Sequence, residues 1–116
     1  MNDIDIPILK KAYELYKMFY DYRKLIPKSE RFFIYEKSEK LIIDLIECFL
    51  EAGYSRSSNK LSTLEKASVK LNVLRIFIRL MKETGSVDNK KYVALQGMID
   101  EIGRMLGGWI RSYDSK

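Results

Sequence analysis

Apolar residues along this chain return at intervals of three and four. That is the period of an α-helix, and no stretch keeps the strict alternation of a half-buried strand for long. Four segments carry the pattern, at roughly 7–25, 29–52, 62–83 and 88–111. The first sets Leu9, Ala12, Tyr13, Leu15, Tyr16, Phe19 and Tyr20 on one arc, with Lys10, Glu14, Lys17, Asp21 and Lys24 on the other. The second has an inner stripe of Tyr35, Ile42, Leu45, Ile46 and Phe49, with Cys48 at its edge and Glu36, Lys40, Asp44, Glu47 and Glu51 facing away. Gly53 and the polar run "SRSSN" read as its stop and the loop beyond. "STLE", with Ser62 and Glu65, reads as a capping box opening the third helix, which ends before Gly85. The fourth starts near Ser86 or Asp88, and buries Leu95, Met98, Ile99, Ile102, Met105, Leu106, Trp109 and Ile110. Short links make neighbouring helices antiparallel, so the expected fold is an all-α, up-and-down four-helix bundle in a single domain over 1–116.

The third helix departs from a simple amphipathic plan. Leu64, Ala67, Leu71, Leu74, Ile78 and Met81 form a core face. Roughly opposite runs a second apolar row of Val69, Val73, Ile76 and Leu80, spaced 4-3-4 like a knobs-into-holes seam. A small monomer does not need both faces inside. The row reads as a subunit contact or, alternatively, as surplus surface hydrophobicity, which is ordinary when scattered. Between the two rows Arg75, Arg79 and Lys82 project close together. Like charges this near repel, and a phosphate or carboxylate partner turns the repulsion into attraction. A solvated face, or ion pairing to a neighbouring helix, explains the same pattern.

The tail "GRMLGGWIRS" places glycines inside a helical run. Gly103 and Gly107 are four apart and border the buried side, so close packing against another helix, within or between subunits, is their expected role. Arg104 and Arg111 share the outward side and extend the basic surface. Tyr13, Tyr16 and Tyr20 fit core or interface packing better than base stacking. Arg23, beside this apolar arc, needs either to snorkel or to meet an acid.

The chain has 116 residues, 21 lysines and arginines against 16 acids, a net charge of +5 and no histidine. The surplus permits a polyanionic partner. Without imidazole there is no histidine-based acid–base pair, triad or metal ligand, and no glycine motif matches a phosphate loop or dinucleotide fingerprint. Cys48 is the one cysteine and reads as a packing thiol. Acid pairs such as Asp44 with Glu47 lie on a charged outer face. No apolar run approaches the ~20 residues that cross a bilayer, and "MNDIDIPIL" lacks the marks of a secretory signal. The expectation is a cytoplasmic protein that is not an enzyme, with no cofactor and no bound metal.

"IPILKKAYELYKMFYDYRKLIPKSERFFI", "LIIDLIECFLEAGYS", "LNVLRIFIRLMKETG" and "YVALQGMIDEIGRMLGGWIRS" follow one another in the order seen in accessory variability determinant proteins of diversity-generating retroelements, which the chain resembles over nearly its whole length. The resemblance implies a barrel-like homopentamer of four-helix bundles. It also implies binding to the retroelement's reverse transcriptase and, through basic surfaces, to template-repeat RNA and cDNA, in support of error-prone copying that diversifies a target gene. On that basis Arg75 and Arg79 are the first binding candidates, with Arg104 in the matched "GRMLGGW". "YKMFYDY" is more aromatic than the family's corresponding segment. A four-helix family encoded in intervening sequences of ribosomal RNA genes shares the early "KAYEL" style and the "PKSERF" turn, and a general oligomeric interaction scaffold is a third reading.

Overall fold

The computed structural model describes residues 6–54 and 58–114; residues 55–57 of the polar middle loop lie outside the described residues. Four helices run antiparallel to their neighbours around one core. They are α1 (Pro7–Arg23), α2 (Glu36–Tyr54), α3 (Lys60–Glu83) and α4 (Asn89–Asp114). α1 packs on α2 and α4, α2 on α3, and α3 on α4, the ring expected of an up-and-down bundle. A 3₁₀ turn, Lys28–Glu30, and a π-helical turn, Arg31–Tyr35, lead into α2. The expected second helix therefore begins as three geometries in succession.

The core is built as the periodicity requires. Leu9, Ala12, Leu15 and Phe19 of α1 meet Ile42, Leu45 and Phe49 of α2, the six core-face residues of α3, and Leu95, Ile99, Ile102 and Leu106 of α4. Each fully buried aliphatic or aromatic side chain contributes about 1.5–3 kcal/mol relative to exposure. At the π turn Tyr35 is buried, its ring stacked on Phe19 at 4.3 Å between centroids. Its hydroxyl donates to the Phe19 carbonyl at 2.8 Å. That bond satisfies the one polar atom of an otherwise apolar side chain and ties the π turn to the end of α1.

Helix ends explain several departures from the sequence reading. α3 starts at Lys60, so Ser62 lies within the first turn and the expected capping box does not form. The N–H and the hydroxyl of Thr63 both donate to the Asn59 carbonyl, at 3.1 and 3.2 Å. Helical bonding thus begins ahead of the serine of the expected box. Gly53 does not stop α2, which runs to Tyr54; a Cβ there would collide with the Ile6 side chain, so the glycine admits the start of the chain against α2. Gly85 does terminate α3. Its φ is 84°, its N–H bonds to the Lys82 carbonyl at 3.1 Å, and the Ser86 N–H bonds to that of Met81 at 2.8 Å, a Schellman motif. Asp88 then caps α4 by accepting the Lys91 N–H at 2.8 Å. The Lys91 ammonium, held on the same carboxylate at 2.8 Å, helps keep the Asp88 carboxyl below its ordinary value.

Tyr13 and Tyr20 are a further correction. Periodicity puts them on the inner arc of α1, yet both are exposed, at 45% and 46%. At about 100° per residue both lie at the edge of that arc and not at its centre, where an amphipathic phenol keeps one side in water. Between them the Tyr16 hydroxyl reaches Glu39 of α2 at 3.4 Å. Partial burial, with that carboxylate, raises the Tyr16 phenol above its usual value. Arg23 does meet an acid. Its guanidinium stands 3.8 Å from Glu39 and over the Tyr35 ring.

Candidate functional site

α3 presents two different surfaces away from the core. Its outward row is exposed, with Val69 at 63%, Ile76 at 56%, and Val73 and Leu80 each at 37%. The row lies opposite the buried face of the same helix, as the 4-3-4 spacing requires. Toward α2 it runs into a shallow groove of about 260 Å³ lined by Lys37, Lys40, Leu41, Asp44, Val73 and Phe77. Asp44 bridges this seam by pairing with Lys40 and Lys70, each at 3.3 Å. A second exposed apolar strip follows the α1–α2 seam, with Tyr13 and Tyr20 on one helix and Ile43, Leu50 and Tyr54 on the other. No helix is long and apolar enough to cross a membrane among the described residues.

The other surface of α3 faces α4. A groove of about 370 Å³ opens between them, lined by Ser68, Asn72 and Arg75 of α3 and by Asp100, Gly103, Arg104 and Gly107 of α4, above Leu71 and Leu106. The stripe of Arg75, Arg79 and Lys82 runs along this side, and each member has a partner within the chain. Arg75 forms an ion pair with Asp100, and its backbone carbonyl accepts from Gln96 at 3.1 Å. Arg79 pairs with Glu83 on its own helix at 3.3 Å. The Lys82 ammonium sits 4.6 Å above the Tyr92 ring. These are solvent-facing contacts, and such pairs contribute about 0–1 kcal/mol. They offset two of the stripe's three charges and shield the third with a ring, without fixing any of them.

The two glycines act as seats for guanidinium groups. A Cβ on Gly103 would lie 2.6 Å from Nη2 of Arg75, and one on Gly107 would lie 3.2 Å from Nη1 of Arg111. Within the chain, the space over these glycines is thus occupied mainly by arginine side chains and not by another helix backbone. Arg104 stands exposed beside them. The structure brings Arg75, Arg104, Gly103 and Gly107 around one groove, with Arg111 at its end, while Arg79 and Lys82 lie farther along α3.

Sequence reasoning misses Asp100, Asn72 and Ser68. Asp100 is legible in principle. In antiparallel helices joined by a short link, residues at similar distances from the link face each other, and Arg75 and Asp100 satisfy this to within about one turn. Trp109 and Ile110, expected on the buried side of α4, pack against the core but are only partly buried. Burial raises the Cys48 thiol above its ordinary value, the direction that disfavours a reactive thiolate. Among the described residues no group of three or more cysteine, aspartate or glutamate side chains is placed to hold a metal ion.

Residues 6–113 fit the protein-family model described as bAvd-like. The chain belongs to the bAvd-like family. This family comprises accessory variability determinants of diversity-generating retroelements. The match spans all four helices, from Ile6 beneath Gly53 to Tyr113 in the last turn of α4. No curated protein matches the chain.

Proposed function

We propose that this bAvd-like protein is a cytoplasmic, non-catalytic accessory subunit that assembles into a ring, the family's homopentamer. In that form it binds the retroelement's reverse transcriptase and its template-repeat RNA and cDNA, and supports error-prone copying. The observation that carries the reading is the pairing on one helix of an exposed apolar row with a basic flank. Assembly through the row repeats the flank on every subunit.

Magnitudes favour more than a casual dimer. Four aliphatic side chains about half exposed contribute about 1 kcal/mol each when covered. That is near the low end of the ~4–15 kcal/mol that association costs. A stable contact therefore needs a receiving surface of similar size, and the strip of Tyr13, Tyr20, Ile43, Leu50 and Tyr54 provides one elsewhere on the chain. Two different patches joined head to tail close into a ring when the rotation allows, which gives every subunit two contacts. Val69, Val73, Ile76 and Leu80 are the assembly residues in this reading, and Gly103 and Gly107 shape the neighbouring surface. Arg75, Arg79, Lys82, Arg104 and Arg111 supply the binding charge.

The test is a pull-down with the cognate reverse transcriptase, with and without nuclease. The wild-type chain is expected to retain the polymerase. Arg75→Glu with Arg79→Glu is expected to lose it while keeping its helical circular dichroism. Loss of wild-type capture after nuclease assigns the contact to nucleic acid, and persistence assigns it to protein. Failure of the wild type to retain polymerase or RNA under either condition overturns the function.

A further inference from the structure

The basic groove between α3 and α4 contains one acid. Ser68, Asn72, Arg75 and Arg104 line its rims with Asp100, and Asp100 holds the Arg75 guanidinium over Gly103. We infer that Asp100 acts as an internal stand-in for a phosphate, occupying Arg75 in the free protein and surrendering it when the sugar–phosphate backbone of RNA enters the groove. This rests on the nucleic-acid part of the proposed function and adds a residue that regulates it.

Two observations and the chemistry of phosphate support the exchange. The pair is open to water, with side chains 32% and 52% exposed; such a pair contributes only about 0–1 kcal/mol and is replaced at little cost. A phosphate offers the planar guanidinium the same paired oxygens as a carboxylate. A Cβ on Gly103 would lie 2.6 Å from the Arg75 guanidinium, so the glycine lets that group lie over bare helix backbone with no side chain of residue 103 between it and the groove. The groove suits a phosphate chain better than a peptide. It is lined by arginines and small polar groups over glycine backbone and a shallow floor of Leu71 and Leu106, without the deep apolar pocket in which an interface anchor usually sits, and the outward row of α3 and the α1–α2 strip lie on other faces.

The device raises selectivity at the expense of affinity. A lone surface anion finds Arg75 already engaged, whereas a strand that also contacts Arg104 and the arginines around it displaces Asp100 through several phosphates at once. Asp100 also offsets the mutual repulsion of the guanidiniums in the free protein.

A fluorescein-labelled single-stranded RNA of about 20 nucleotides, titrated at several salt concentrations by anisotropy, tests this with wild type, Asp100→Asn, Arg75→Gln and the double variant. Circular dichroism and native mass serve as controls. Asp100→Asn is expected to tighten binding about three- to tenfold near 0.1 M salt and to steepen the salt dependence by up to about 0.7 in log–log slope, the increment for one more neutralised phosphate on a single strand. Arg75→Gln is expected to weaken binding, and Asp100→Asn is expected to add little in that background. A gain from Asp100→Asn that is equally large without Arg75 overturns the inference, because net charge alone then explains it. Weaker binding by Arg75→Gln with no gain from Asp100→Asn also overturns it and leaves the binding face standing. If neither variant changes RNA affinity, the inference falls together with the groove's role in nucleic-acid binding.

Discussion

The outward row of α3 and its α4-facing flank sit on the same helix and differ in one respect that decides how each behaves. Among the described residues the row is covered only at its α2 edge, and Val69 and Ile76 are more than half exposed. The flank is saturated, with Arg75, Arg79 and Lys82 each engaged by an acid or a ring. An exposed apolar row is relieved only by another surface, whatever the salt. A charged flank with weak internal pairs exchanges its partners according to competition and ionic strength. The first is therefore suited to permanent assembly and the second to reversible binding.

The largest expected effect comes from breaking the row. Val73→Glu with Ile76→Glu places two charges where assembly buries apolar surface, and desolvating an unpaired carboxylate costs several kcal/mol. Light scattering after size exclusion is expected to show a monomer with unchanged helical circular dichroism. An unchanged oligomer would remove the row from the interface. The flank is expected to respond more gradually. Arg75→Glu with Arg79→Glu leaves the oligomer intact and flattens the salt dependence of single-stranded RNA binding by about 1.4 in log–log slope, about 0.7 for each phosphate no longer neutralised. A parallel shift with the same slope would mean that these arginines act through the general field and not by touching the strand. The smallest effect belongs to Gly103→Ala. A methyl group there meets only the flexible end of Arg75 at close range, and alanine favours the helix by about 0.5–1 kcal/mol. The melting temperature is expected to rise by roughly 2–4 °C, using about 4 °C per kcal/mol for a domain near this size. A fall of that size would restore the expectation that a neighbouring helix packs against the glycine.

The four helices and most of the core are legible in the sequence because burial in a bundle follows a 3.6-residue period, and the six expected core residues of α3 are all buried. The outward row is legible for the same reason, since its residues lie opposite that face. What periodicity cannot encode is competition for a polar partner. Tyr13 and Tyr20 share the arc of Leu9 and Phe19 but stay about half exposed at its edge. Ser62 has a capping sequence, but the carbonyl of Asn59 takes the first helical bonds. Gly53 looks like a stop and proves to be a space for Ile6. The candidate site is half visible. Its arginines stand out as a stripe, whereas Asp100, which pairs with one of them, becomes apparent only when α3 and α4 are set side by side.

The claim that two unlike patches join head to tail is tested most directly by mixing two disabled chains. One carries Val73→Glu and Ile76→Glu in the row; the other carries Tyr13→Glu and Ile43→Glu in the α1–α2 strip. Each alone is expected to be a monomer by light scattering, while the wild type is a larger closed assembly. The equimolar mixture is expected to form a heterodimer and nothing larger, because one intact row meets one intact strip and no second contact remains. A mixture that stays monomeric while the wild type assembles, or a wild type that is itself a monomer at working concentration, would contradict the account.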